Sequence, residues 1–169
     1  LVLSGLVHDW DFDVEQMNVV SANDMYVTRD KRYIVKIVDT GYITHFRGIS
    51  NYFNPRLTRI KNNVITIAQS KGFDLECFRA AVIGWERAFP LDYGPVRLDG
   101  AKKDAGIVSN FLTGHSLSRS LAAGMKLGKD EVKRLIRKLL YEVAIIHMNE
   151  IVHMDLTPGN IILDENKRD

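Results

Sequence analysis

Apolar and polar positions change period along the chain, and the changes mark the elements. Met25-Tyr26-Val27-Thr28 and Arg32 to Val38 are rich in β-branched and aromatic residues, and Tyr33, Val35 and Ile37 alternate with Ile34, Lys36 and Val38. This predicts two strands joined by a turn at Arg29-Asp30-Lys31. A further strand is expected within Asp13 to Val20, with Met17 to Val20 as its apolar part, before the turn signal Ser21-Ala22-Asn23-Asp24. Asp39 to Asn54, with Gly41, Gly48 and then Pro55, reads as a linker. The spacing of Leu57, Ile60, Val64, Ile65 and Ile67 predicts a helix from Arg56 to Ser70, ended by Lys71-Gly72. Leu75, Phe78, Ala81, Val82, Trp85 and Phe89 predict a second helix capped by Asp74, and its stripe reads as core.

Pro90 to Gly94 reads as a loop. Val96 to Leu98 and Gly106 to Leu112 read as strands around a turn at Gly100 to Asp104. The clearest helix is Asp130 to Met148. There Val132, Leu135, Ile136, Leu139, Leu140, Val143 and Ile146 repeat at three and four, and Asp130 and Glu131 stand in the first turn, where the helix dipole favours carboxylates. Lys133, Arg134, Arg137 and Lys138 form the opposite, solvated face.

After this helix an apolar approach, Ile151-Val152, enters a polar turn, and the turn leads into an apolar strand, Ile161-Ile162-Leu163. The turn carries His153, Asp155 and Asn160. Pro158 and Gly159 break regular structure, so the two polar side chains sit on a loop anchored at both ends. A carboxylate and an amide so placed suit a substrate hydroxyl and a metal ion. His147 and His153 lack zinc-ligand spacing with other ligands, and His153 is expected to hold the loop by hydrogen bonds.

Composition narrows the partners. A formal net charge of +2 gives no reason to expect nucleic acid or an anionic membrane surface. No run approaches the roughly 20 apolar residues of a membrane span. Cys77 is the single cysteine, which excludes an intramolecular disulfide and fits a cytoplasmic, reducing compartment. The absence of an initial Met and the end at Lys167-Arg168-Asp169, within an expected hairpin, read as those of a piece of a longer protein.

The turn resembles the catalytic loop of the protein kinase-like superfamily, His-x-Asp-Leu-x-x-x-x-Asn, matched by His153, Asp155, Leu156 and Asn160. The resemblance implies an α+β kinase-like fold: an N-lobe antiparallel sheet with a helix, then the start of a helical C-lobe. The N-lobe would span 1–112, with a helical insertion at about 40–72, and the C-lobe part 113–169. The resemblance makes Asp155 the residue that orients the attacking hydroxyl and accepts its proton, and Asn160 a magnesium ligand. Tyr-Ile-Val-Lys-Ile resembles the strand whose lysine contacts nucleotide phosphates, which gives Lys36 that role and a helix carboxylate as partner. Glu86 is preferred over Glu76, being closer to the next strand. Asn110-Phe111-Leu112 resembles the hinge whose backbone binds the adenine edge.

The resemblance therefore implies ATP and magnesium as cofactors and a Ser/Thr hydroxyl on a protein as acceptor. Ser21 to Asp24 contains no Gly, which departs from the family's phosphate loop. That departure, and Thr157 where Ser/Thr kinases usually carry Lys, also fit a small-molecule kinase of the aminoglycoside phosphotransferase type. A pseudokinase or interaction module is the third reading. The family's Asp-Phe-Gly segment would begin after Asp169, so residues 1–169 alone are expected to be inactive.

Overall fold

The computed structural model describes residues 11–12, 14–16, 25–98 and 101–164. The expected strand at Met17 to Val20 and the turn at Ser21 to Asp24 lie outside them. Two compact units divide the chain: one takes the described residues of Leu1–Tyr52 and Ala88–Phe111, the other those of Phe53–Arg87 and Leu112–Asp169.

The first unit holds a six-stranded sheet built from β1 (Asp11–Phe12), β2 (Val14–Gln16), β3 (Met25–Thr28), β4 (Tyr33–Ile37), β5 (Asp92–Leu98) and β6 (Ala101–Asn110). The order is β1-β5-β6-β4-β3-β2, antiparallel throughout except for the parallel pair β1 and β5. The sheet with its helices is the α+β kinase-like arrangement expected. Ala101 to Asp104 belong to β6 and not to a turn, because Ala101, Lys102 and Lys103 continue the ladder opposite Leu98, Arg97 and Val96. The β3–β4 turn is tied by Thr28, whose hydroxyl donates to Asp30 and accepts from the backbone N–H groups of Arg32 and Tyr33.

Alternation along β4 sorts the sheet's two faces. Val35 is fully buried with Val96, Leu98 and Val108 on one face. Lys36 points to the other, in a row with Met25 and Ile107. Ile43, Ala105 and Ile107 form the core on that second face. Ile43 comes from α1 (Thr40–Asn62), so the expected linker at Asp39 to Asn54 is a helix.

Gly41, Gly48 and Pro55 are local breaking signals, but a buried stripe runs straight through them. Ile43, Ser50, Phe53, Leu57 and Ile60 all lie at helical spacing and all are buried. Burial along that face outweighs the one ladder hydrogen bond that Pro55 forfeits. The division between the two units falls inside this helix, between Tyr52 and Phe53.

The second unit takes the rest of α1, then α2 (Val64–Lys71), α3 (Leu75–Ala88), β7 (Gly114–Ser116), α4 (Leu117–Ala122), α5 (Lys129–Met148) and β8 (Ile162–Asp164). The single helix expected at Arg56 to Ser70 is interrupted at Asn63, so it is the end of α1 followed by α2. Asp74 caps α3 as expected, its Oδ1 accepting from Cys77 N–H at 2.8 Å. Phe78, Ala81 and Val82 are buried. Phe73, Phe78 and Tyr141 meet as rings, and the Tyr141 hydroxyl accepts from Asp74 N–H at 2.6 Å.

Helix α5 is buried only toward its end, at Ile145 and Ile146. Val132, Ile136 and Leu140, part of its expected apolar stripe, are exposed, because no described element covers that side. Among the described residues no helix is long and apolar enough to cross a membrane.

Candidate active site

The polar turn grows directly out of the end of α5. Asn149 is buried, and its Nδ2 donates to Ile145 O at 2.8 Å. Glu150 takes a left-handed conformation (φ 58°). Glu150 N–H then reaches His147 O and Ile151 N–H reaches Ile146 O, so the orphan carbonyls of the helix end are satisfied as the chain leaves it.

At the far end, Ile162–Asp164 pairs antiparallel with Gly114–Ser116, and Leu117 N–H donates to Ile161 O at 2.8 Å. Gly114 is required there. Its φ is 149°, and a Cβ would lie 2.0 Å from Leu163 O.

Between these anchors the turn is braced by its own polar groups. Asp155 N–H donates to His153 O at 2.8 Å and to His153 Nδ1 at 3.3 Å. The neutral imidazole in this arrangement carries its proton on Nε2. Met154 between them is left-handed (φ 64°), and its side chain is 89% exposed. Thr157 N–H donates to Asp155 O, and Asn160 N–H to Thr157 O, closing a 3-10 turn over Pro158–Asn160. The Asn160 amide nitrogen donates twice, to Asp155 O at 2.9 Å and to Asp155 Oδ2 at 2.8 Å.

These contacts decide the chemistry available. With the amide nitrogen committed to Asp155, the oxygen of Asn160 is turned the other way, where it can meet a hard cation. The Asp155 carboxylate is exposed and aimed by the Asn160 amide, so it can accept a proton from a hydroxyl brought to it. Among the described residues no three His, Cys, Asp or Glu side chains gather as a metal cage. Magnesium on substrate phosphates needs only one or two protein oxygens, and Asn160 fits as one of them.

The other expected residues are distributed over the two units. Lys36 lies on β4 between β3 and β6, in the first unit. The part of α1 packed on its face carries no carboxylate. Glu86 lies on α3 in the second unit, where its Oε1 accepts from Lys61 Nζ at 2.6 Å. Asn110 ends β6 opposite Tyr33, and Phe111 N–H is spent on Arg32 O at 2.8 Å. Leu112 opens the second stretch of the second unit.

One neighbour of the turn escaped the sequence reading. The indole of Trp85 lies 6.4 Å, centroid to centroid, from the His153 ring. Its helical spacing marked it only as core, and nothing in the pattern named the ring it meets.

The protein kinase domain family model matches residues 96–169, a stretch that holds the whole braced turn and its two anchoring strands. This match and the curated kinase relatives support a likeness to the protein kinase-like superfamily. It is 50% identical over 42 residues to an eIF-2-alpha kinase of Schizosaccharomyces pombe, covering 25% of this chain and 3% of that protein. It is 44% identical over 46 residues to the human phosphorylase b kinase gamma catalytic chain, liver/testis isoform (27% and 11%). A longer match, 26% identical over 145 residues, is to a probable serine/threonine-protein kinase of Lactococcus lactis (81% and 22%). The chain thus spans less than a quarter of the length of these kinases. No solved structure gives a significant match. The family match includes Asn110, Phe111, Leu112, Asp155 and Asn160, while Lys36 and Glu86 precede it.

Proposed function

We propose that the protein containing this chain is an ATP- and magnesium-dependent protein kinase acting on a Ser/Thr hydroxyl. The observation that carries this reading is the Asn160 amide bonded to the Asp155 carboxylate at 2.8 Å. That bond orients a proton acceptor and an amide oxygen together. The names of the matched kinases support the same class.

In this reading Asp155 orients the acceptor hydroxyl and takes its proton as the oxygen attacks the terminal phosphate. Magnesium, when bound, neutralises charge on the phosphate oxygens, with the Asn160 oxygen as one ligand. Lys36 faces the phosphates, and the Asn110 to Leu112 backbone takes the adenine edge. Glu86 is assigned to Lys36 on the resemblance, and its present partner is Lys61. The two-lobe division at 112/113 and a cytoplasmic location belong to the same proposal.

A small-molecule acceptor is the second reading, favoured by the Gly-free Ser21 to Asp24 and by Thr157. The test is magnesium-ATP binding and phosphotransfer by the full-length protein, compared with Asp155→Ala. The variant is expected to bind ATP and to lose about 100-fold or more in kcat. Transfer to a small alcohol but to no protein selects the second reading. Wild-type protein that transfers to neither refutes both and leaves an interaction module.

A further inference from the structure

We propose that Trp85 is a positioning residue for the catalytic turn, acting through His153. The inference rests on the phosphotransfer reading of that turn, but its first test does not.

Trp85 is fixed on two sides before it meets the loop. Its Nε1–H donates to Glu142 O of α5 at 2.9 Å. Its ring meets the fully buried Phe53 at 5.9 Å and 64°, an edge-on contact. A Cβ on Gly84, the preceding residue, would lie 3.1 Å from Glu142 Oε1. The indole is therefore held by the same helix whose end launches the turn. It also meets the His153 ring, at 6.4 Å and 51°.

The His153 ring has a demanding task. Its Nδ1 accepts the Asp155 N–H only while the ring keeps one orientation about χ2. That orientation spans a left-handed Met154, a conformation that persists only where surrounding contacts determine it. An indole against the imidazole supplies such a contact and narrows the ring's rotamers. When the ring turns, the Asp155 N–H keeps only the His153 backbone oxygen, and the backbone seat of Asp155 loosens beneath the carboxylate that Asn160 aims. A misplacement of about 1 Å at a reacting group is worth on the order of 100-fold in rate.

The test uses the full-length protein with Trp85→Leu and Trp85→Phe. The first measurement is the NMR position of the His153 ring protons, assigned with His153→Asn. Because the indole ring current acts on them, Trp85→Leu is expected to move these resonances and to speed hydrogen exchange at the Asp155 amide. Trp85→Phe, which keeps a ring but not the bond to Glu142 O, is expected to hold that exchange near the wild-type rate. Unchanged His153 resonances in a folded Trp85→Leu protein overturn the proposal, whatever the activity.

The second measurement is the split between kcat and the KM for ATP. Trp85→Leu is expected to lower kcat by about tenfold or more, with KM for ATP nearly unchanged and most of the loss recovered in Trp85→Phe. Equal loss in both variants assigns the effect to the Glu142 hydrogen bond and overturns the ring contact as its cause. A wild type with the His153 signature but no transfer refutes the kinase reading and leaves the seating of the turn by Trp85 standing.

Discussion

Asn160 holds Asp155 twice with one amide nitrogen, at the backbone oxygen (2.9 Å) and at Oδ2 (2.8 Å). The carboxylate's direction therefore depends on a donor, and not only on the loop backbone. Asn160→Asp keeps an oxygen for a metal but replaces that donor with a second carboxylate, which repels the first. The expected result is a loss of about 100-fold in kcat, with a magnesium requirement retained. Steady-state kinetics of the full-length protein across magnesium concentrations will check it. Activity near wild type would remove the brace from the mechanism.

Gly114→Ala is expected to destabilise the second unit by about 3 kcal/mol, because its Cβ has no room beside Leu163 O and the residue sits at φ 149°. Gly48→Ala is the contrast. It lies inside α1 with nothing within 4 Å of its Cβ, so alanine there is expected to stabilise by about 0.5 to 1 kcal/mol. Urea unfolding of the two variants should move in opposite directions.

Burial pushes the Glu142 carboxyl above the usual range, with Lys138 drawing it partly back. A carboxyl raised on folding destabilises the fold once it is ionised. Its penalty is absent below the ordinary Glu value, grows as pH rises through the folded one, and is complete above both. Glu142→Gln is therefore expected to raise Tm at neutral pH and to lose that advantage as pH falls. Thermal unfolding of both proteins from neutral to acid pH decides it, and a Gln variant less stable at neutral pH would contradict the burial argument.

The opposite sign applies at Asp74. The Cys77 N–H bonded to its carboxylate holds that carboxyl below its ordinary 3.8. The cap's contribution is thus present above that value and is lost as pH falls through the folded one. Asp74→Ala is expected to lower Tm near neutral pH, and the difference is expected to vanish in acid. A difference independent of pH would mean that the charge plays no part in the cap.

Much of the sheet was legible in the chain. Tyr33 to Val38 alternates, and alternation is the geometry of a strand, so β4 and the placement of Lys36 opposite Val35 followed from order alone. The same holds for the turn: Asp155, Pro158, Gly159 and Asn160 are close in sequence, so their spacing limits how they can meet. Helix α1 was misread because Gly48 and Pro55 are local signals, whereas the burial of Ile43, Phe53 and Leu57 that overrides them is a property of the packed unit.

By itself the sequence determined what is local: the periods of the elements, the cap at Asp74, and a carboxylate and an amide on one fixed loop. Tertiary structure decided what depends on residues far apart in the chain. Lys61 lies against Glu86, Trp85 against His153, and Glu142 against Gly84. Side-chain periodicity tells which way a residue faces along its own element, but the partner it finds there is set by how elements from distant parts of the chain pack together.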